Sequence, residues 1–176
     1  MNSGPAVVEV RLLGPLEAFV AGEPVVVVGQ RSRALLAVLA LTPGEVVPLS
    51  RIVEAVWGLD APASALTGIG VHVARLRRVL AGRGGYAPLR RAEGGYLLDL
   101  PGDAVDAIRF ERLAAEGRAR RADGDPVAAL AALRAAAGLW RGPALGDLRE
   151  EPAFAAAAAR LEEARRSVLA DVAGLG

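Results

Sequence analysis

The sequence predicts an α+β protein of two domains, the first mixing strands with helices and the second all helical. Short runs rich in β-branched residues occupy the first 28 residues, and segments rich in Ala and Leu follow them. Pro101-Gly102-Asp103 interrupts the chain, and everything beyond it has a helical pattern. We therefore expect one domain at residues 1–100 and another at residues 103–176.

Strands open and close the first domain, with three helices between them. Residues 7–13, 16–20 and 24–28 predict a three-stranded antiparallel meander. Helices are predicted at residues 31–41, 49–57 and about 65–81, with Ser64 placed to cap the third. Residues 88–100 predict a hairpin. This is the order of a winged helix, whose third helix enters the major groove of DNA while the hairpin, or wing, contacts backbone or minor groove.

The second domain is predicted as a helical hairpin followed by one long helix. Residues 106–122 and 127–141 form the hairpin, joined by Gly124-Asp125-Pro126 with Asp125 as the cap. Residues 151–173 form the long helix, with an apolar stripe near one face. The stripe consists of Phe154, Leu161, Ala164, Val168 and Val172. We expect Trp57, Trp140 and Phe154 to anchor the core rather than to stack on a ligand.

Charge is segregated along a chain whose formal net charge is only +1. All 21 basic residues are Arg, and residues 1–98 carry a net +3 against −2 for residues 99–176. Between residues 61 and 92 there are six Arg and no acidic residue. Such a patch predicts a defined binding surface for a polyanion. The alternative is that these arginines only form a solvated helix face.

The third helix divides into an apolar face and a basic face. Ile69, Val73, Leu76 and Leu80 fall on one narrow stripe that we expect to be buried. The candidate DNA-binding residues lie on the rest of this helix and on the wing: Thr67, Val71, His72, Ala74, Arg75, Arg77, Arg78, Arg90 and Arg91. Val71 can meet a thymine methyl, and the arginines can meet phosphates or guanine. His72, at the margin of the stripe, is either a packing residue or a donor to phosphate.

Several function classes are disfavoured by what the sequence lacks. With no Cys and a single His, disulfides, thiolate nucleophiles and the usual zinc ligand sets are excluded, so no metal and no cofactor is expected. Residues 82–85 lack the Lys and Ser/Thr of a phosphate-binding loop. The paired glutamates at 150–151 and 162–163 are explained more simply as charges at a helix N-terminus and on a solvated helix face than as catalytic carboxylates. We expect no enzyme, and a cytoplasmic protein without a membrane partner.

Motifs along almost the whole chain resemble one family. They are Gln30-Arg31 before the first helix, Val-Trp-Gly at residues 56–58, Pro62-Ala63-Ser64-Ala65, VHVARLRRVL at 71–80, Gly95-Tyr96, and Leu-Trp-Arg-Gly at 139–142. Their order is similar to that of the Streptomyces antibiotic regulatory proteins, the AfsR-type activators. The string VHVARLRR is also similar to the recognition helix of OmpR-type regulators. GDPVAALAALRAAA, at residues 124–137, resembles the second helix of a tetratricopeptide repeat.

The resemblance implies a fold and a function. The fold is an OmpR-type winged helix followed by a TPR-like bacterial transcriptional activation domain, here shorter than is usual in the family. The function is sequence-specific activation of transcription in secondary metabolism, by binding direct repeats near promoters and recruiting RNA polymerase. Its partners are double-stranded DNA, the polymerase and a second copy on the DNA, which places the protein at the nucleoid.

Two glycines depart from the family pattern. Gly68 and Gly70 stand where family members commonly carry polar residues. Each Gly costs about 1 kcal/mol of helix stability relative to Ala and removes a side chain that could read a base. They motivate an alternative, a protein-interaction adaptor whose winged helix has lost its affinity for DNA.

Overall fold

A computed structural model describes residues 7–82, 85 and 87–176 of the chain. It has the predicted α+β architecture, with small antiparallel sheets in the N-terminal part followed by helices. Expectations about the first six residues, Arg83 and the middle of the 82–85 link fall outside the described residues. Among the described helices, none combines the length and hydropathy that crossing a membrane requires.

The predicted N-terminal meander is confirmed. Strands β1 (Val8–Arg11), β2 (Glu17–Val20) and β3 (Glu23–Val25) pair antiparallel in sequence order. Val10 lies opposite Ala18, and both side chains are buried. Since side chains alternate along a strand, one face of this sheet packs on the core while the other faces solvent.

Three helices follow the meander: α1 (Gln30–Ala40), α2 (Leu49–Trp57) and α3 (Ala65–Ala81). Their positions agree with the prediction. Ser64 occupies the position before α3, but its side chain makes no capping hydrogen bond, so that part of the prediction was wrong. Its carbonyl accepts from the N–H of Gly68 instead, at 2.9 Å.

The predicted hairpin forms the wing and has an additional strand beside it. Strands β5 (Leu89–Ala92) and β6 (Gly95–Leu98) pair antiparallel, and the two-residue strand β4 (Val47–Pro48) pairs with β6. The order is β4-β6-β5, so β5 is an edge strand. Gly95 permits the contact with β4, because a Cβ there would lie 2.0 Å from the Val47 carbonyl oxygen.

The helical part consists of α4 (Asp106–Ala122), α5 (Pro126–Ala137) and α6 (Pro152–Ala173). Short 3-10 helices, Gly102–Ala104 and Gly146–Glu150, precede α4 and α6. Asp125 caps α5 as predicted, accepting from the Ala128 N–H at 2.9 Å. Helix α5 ends before the predicted residue 141, and the Arg141 N–H donates to the Leu13 carbonyl at 2.8 Å instead.

Buried residues of the two parts form one apolar cluster. Phe154 is 1% exposed, as expected of a core anchor, whereas Trp57 and Trp140 are partly buried and pack against the cluster. Val10 of β1 also forms a parallel bridge with Val105, just before α4. The two predicted domains are therefore in extensive contact, and their division stays a prediction.

The loop after β1 is held by groups that lie far away in the sequence. The Leu12 and Leu13 N–H groups donate to the buried carboxylate of Asp106, at 2.6 and 3.1 Å. The Leu12 carbonyl accepts from the N–H of Leu145 at 2.7 Å. Burial raises the pKa of Asp106, and the two N–H donors and the nearby Arg141 oppose that rise. We call this contact the junction: residues 12–15 against Asp106 and residues 141–146.

Two further contacts fix the helical part to the first three helices. Arg33 of α1 forms a two-point ion pair with Asp147, with N–O distances of 2.7 and 2.8 Å. Arg51 of α2 donates to the Ala153 carbonyl at 2.9 Å. The orientation of α1 and α2 is thus tied to the helical part by polar contacts as well as by the shared core.

Candidate nucleic-acid interface

Helix α3 has the two faces that the sequence predicts. Ile69, Val73, Leu76 and Leu80 are at most 2% exposed. The predicted outward residues, Thr67, Val71, Ala74, Arg75 and Arg78, are all exposed. Val71 is 51% exposed, although it is apolar. The helix therefore presents a continuous surface that mixes small, apolar and basic side chains.

One flank of α3 packs against the end of α2 through Gly68. A Cβ on Gly68 would lie 2.9 Å from Cζ2 of Trp57, whereas Gly70 has open space around it. The Trp57 ring also meets His72 edge to face, with centroids 6.0 Å apart, and the Arg31 guanidinium lies 5.6 Å from its centroid. The missing side chain at position 68 thus makes room for Trp57 and does not leave a gap in the outward surface.

His72 is held inward rather than offered to solvent. Its Nδ1 lies 3.0 Å from Oγ of Ser32, which is 2% exposed. Burial, with the positive charges of Arg75 and Arg31, lowers the pKa of His72 below 6.5. The lowered pKa disfavours the charged imidazole at neutral pH, which fits a packing role better than a cationic contact with phosphate.

The opposite flank of α3 is joined to the wing. Arg77 donates from Nε to the Leu89 carbonyl of β5, at 3.0 Å. Arg90 of β5 forms an ion pair with Asp99 at 3.0 Å, and Arg91 is exposed beside it. Arg77 therefore joins the wing to the helix that carries the other candidate residues.

The arginines on α3 and the wing differ from those of the helical part in how many have a carboxylate partner. Within the described ranges, Arg75, Arg78 and Arg91 have no carboxylate partner, and neither does Arg31 at the start of α1. In the helical part most arginines do have one; they are Arg112, Arg118, Arg121, Arg141, Arg149, Arg160, Arg165 and Arg166. Uncompensated positive charge therefore concentrates on α1, α3 and the wing.

Arg31 was not among the predicted site residues. It stands outside the acid-free stretch of residues 61–92, so the charge pattern gave no reason to select it. Its position over Trp57 brings it beside the flank of α3, close enough to lower the pKa of His72. The only signal in the sequence was its place in the Gln30-Arg31 motif. Within the described ranges, no group of acidic or His side chains could hold a metal ion.

Comparison with known proteins matches both parts of the chain. Residues 22–97 match the family described as "Transcriptional regulatory protein, C terminal", and residues 105–176 match "Bacterial transcriptional activator domain". Regulatory protein DnrI of Streptomyces peucetius is 38% identical over 168 residues, which cover 92% of this chain and 62% of DnrI. Transcriptional regulator RedD of Streptomyces coelicolor is 37% identical over 94% of this chain and 48% of RedD.

A solved structure has the same fold. The structure titled "Mycobacterium tuberculosis EmbR in complex with low affinity phosphopeptide" superposes with a TM-score of 0.91 at 31% identity, covering 97% of this chain and 45% of that one. An OmpR-type winged helix followed by a bacterial transcriptional activator domain defines a class of transcriptional regulator. The two matched domains, in that order, confirm the predicted resemblance to the Streptomyces antibiotic regulatory proteins. It spans less than two thirds of the length of DnrI and RedD.

Proposed function

We propose that this regulator binds double-stranded DNA sequence-specifically, through the outward face of α3 and the wing, and activates transcription. One observation carries the proposal. Among the described residues, five of the eight arginines without a carboxylate partner lie on these two elements and the start of α1, whereas most arginines of the helical part are paired. Unpaired guanidinium groups on a projecting helix are suited to replace the counterions of a phosphate backbone.

The candidate residues divide by role. Arg75 and Arg78 lie one turn apart on the exposed face and contact phosphate or guanine. Val71, on the same face, meets a thymine methyl, with Thr67 and Ala74 beside it. Arg91 contacts the backbone from the wing together with Arg90. Arg77 and His72 support the helix from its flanks and do not read bases.

The helical part supplies the partner surface in this proposal. Residues 103–176 act as the activation domain, which contacts RNA polymerase, while residues 1–100 hold the DNA. Two copies bind neighbouring direct repeats near a promoter, so the pair assembles on the nucleic acid. The resemblance to the family supports these assignments, as it does a place in the cytoplasm, at the nucleoid.

Salt dependence tests the DNA contact. A footprint on the DNA upstream of the chain's own gene would supply the fragment, whose affinity is then measured over a range of salt concentrations. Arg75→Gln and Arg78→Gln should each weaken binding and lower the slope of log K against log salt by about one for each phosphate that is no longer neutralised. Arg120→Gln is the matched control, because Arg120 is exposed and lies in α4, away from the proposed surface.

The outcomes separate the proposal from its alternative. Binding that weakens with salt and depends on Arg75 and Arg78 but not on Arg120 supports a DNA-binding activator. Failure to bind any duplex at low salt would overturn it and favour the adaptor. Equal weakening in all three variants would show attraction by net charge alone, which also contradicts the assigned surface.

A further inference from the structure

A small cavity lies beside the junction, away from the outward face of α3. Its volume is about 220 Å³, and its lining comes from β1, α4 and the segment after α5. The residues that line it are Arg11, Asp106, Arg109, Gly138, Leu139 and Arg141. Arginine residues from three separate elements therefore line one cavity.

Two of these arginines have carboxylate partners. Arg141 lies 3.1 Å from an oxygen of Glu17 and 3.6 Å from one of Asp106, and it donates to the Pro15 carbonyl at 3.1 Å. Arg11 lies 3.8 Å from Glu17, and its guanidinium stands 4.2 Å from the centre of the Phe19 ring. Both contacts hold the side chains in place beside the cavity.

Arg109 is the member without a partner. Its Nε is buried and has no hydrogen-bond acceptor among the described residues. Nor does Arg109 form an ion pair within the described ranges. A buried donor without an acceptor costs roughly 1–3 kcal/mol, more for a charged group, so this position favours an acceptor from outside the chain.

The local charge balance points to an anion. Three guanidinium groups face two carboxylates, Glu17 and Asp106, which leaves one positive charge in excess. Both oxygens of Asp106 already accept N–H groups of the loop after β1, Oδ1 from Leu12 and Oδ2 from Leu13. Among the described residues, no hydrogen bond or ion pair joins Asp106 to Arg109, so the charge of Arg109 stays uncompensated beside the cavity.

We propose that this cavity binds a phosphoryl group, either free phosphate or the phosphate end of a small metabolite. A tetrahedral anion offers acceptors in several directions, which suits three guanidinium groups on separate elements better than the two coplanar oxygens of a carboxylate. The volume is below that of typical pockets for whole small molecules, roughly 300–1,000 Å³, so only the phosphate end would be enclosed. Binding would join β1, α4 and the segment after α5, and would stabilise the junction.

Arginine side-chain NMR on the whole chain tests the site. The Nε–Hε signal of Arg109, assigned by its disappearance in Arg109→Gln, is followed while phosphate replaces chloride at constant ionic strength. We expect a saturable shift in that signal. We also expect Arg109→Gln to weaken the affinity measured by calorimetry about tenfold or more, since the substitution removes one charged hydrogen bond. Arg112→Gln is the control, because Arg112 is exposed on the same helix and pairs with Asp103 instead.

Further variants and ligands test whether the site depends on the Arg109 side chain and whether it is specific for a phosphoryl group. Arg109→Lys keeps the charge without the planar fork and should bind more weakly than the wild type, with an unchanged melting temperature in chloride. Glycerol 3-phosphate and free phosphate are compared by affinity. Tighter binding of the former indicates a phosphorylated metabolite, and tighter binding of the latter indicates free phosphate. Acetate binding as tightly as either would overturn the phosphoryl assignment. So would binding that survives Arg109→Gln but is abolished by Arg75→Gln, since the ion would then occupy the outward face of α3.

Discussion

At the scale of single residues, His72 shows how the interior of this fold affects its basic surface. It lies on α3 among the arginines, yet its imidazole is half-buried and lies 3.0 Å from Oγ of Ser32. Burial is the largest cause of its lowered pKa, and the charges of Arg75 and Arg31 add to it. The same arginines that suit the surface to DNA therefore help to keep the histidine uncharged.

The titration of His72 is a direct test of this environment. The chain has a single His, so its Hε1 signal can be identified directly, and we expect a titration midpoint below 6.5 in the folded protein. Arg75→Gln should raise the midpoint part of the way, because burial remains. Arg112→Gln, a control far along the chain, should leave it unchanged. A midpoint at or above 6.5 in the wild type would contradict the structure.

The shifted pKa has a consequence for stability. Because the pKa of the folded state is below that of the unfolded state, the contribution of His72 is fully present above about pH 6.5. It is lost as the pH falls from 6.5 through the folded pKa. Urea unfolding should therefore show a decline in stability below that pH, and His72→Gln should remove part of the decline.

Residue patterns predicted the outward face of α3 but not what lies at its flanks. The helical period is enough to assign Val71, Arg75 and Arg78 to the surface. Arg31 and Ser32 could not be placed beside His72, because that contact joins residues 40 positions apart. The sequence offers no measure of how α1 and α2 lie across α3, so it cannot show that Gly68 makes room for a ring.

At the scale of elements, the angle between α2 and α3 depends on the close approach of Trp57 to Gly68. A Cβ at position 68 would lie 2.9 Å from Cζ2 of the indole, and the ring is flanked by His72 and Arg31. Gly70, only two residues away on the same helix, has no atom within 4 Å of a Cβ. The two glycines therefore have different physical roles despite their identical chemistry.

Alanine substitution separates these roles. Gly70→Ala should stabilise the protein by about 1 kcal/mol, because alanine favours the helix and meets nothing. Gly68→Ala gains the same helix propensity but must displace the indole, and overpacking of this kind costs about 1–3 kcal/mol. Urea denaturation should find Gly68→Ala less stable than Gly70→Ala by that amount. Equal stability of the two variants would show that Trp57 does not constrain α3.

Local sequence patterns predicted most helices and strands, and they failed where a long-range contact determines whether an element forms or where it ends. The meander, α2, α3, the wing and α4 follow from the period of apolar residues and from turn residues. Strand β4 was not predicted, since two residues carry no period and exist as a strand only through β6. The early end of α5 has the same cause, because the Arg141 N–H donates to Leu13 from the other end of the chain.

At the scale of the whole molecule, the junction joins the two predicted domains by hydrogen bonds that no local pattern reveals. Asp106 lies 94 positions from Leu12, and in the sequence it is only the first acidic residue of a helix. In the fold it is 4% exposed and satisfies two N–H groups of the loop after β1. The helical part should therefore stay fixed to the winged helix in solution and unfold together with it.

Asp106→Ala tests this coupling. The substitution leaves the Leu12 and Leu13 N–H groups buried without an acceptor, so we expect a decrease of about 2–5 kcal/mol in the free energy of unfolding. Asp103→Ala is the matched control, since Asp103 is exposed and pairs with Arg112 at the surface, so its loss should cost less than about 0.5 kcal/mol. Trp57 and Trp140 report on the two parts separately when the other is replaced by Phe. In these two single-tryptophan variants the urea transitions should coincide, because the parts share a core. Transitions with different midpoints in the two variants, beyond any change in stability caused by the Phe substitutions, or equal effects of the two aspartate variants, would show that the junction does not hold the domains together.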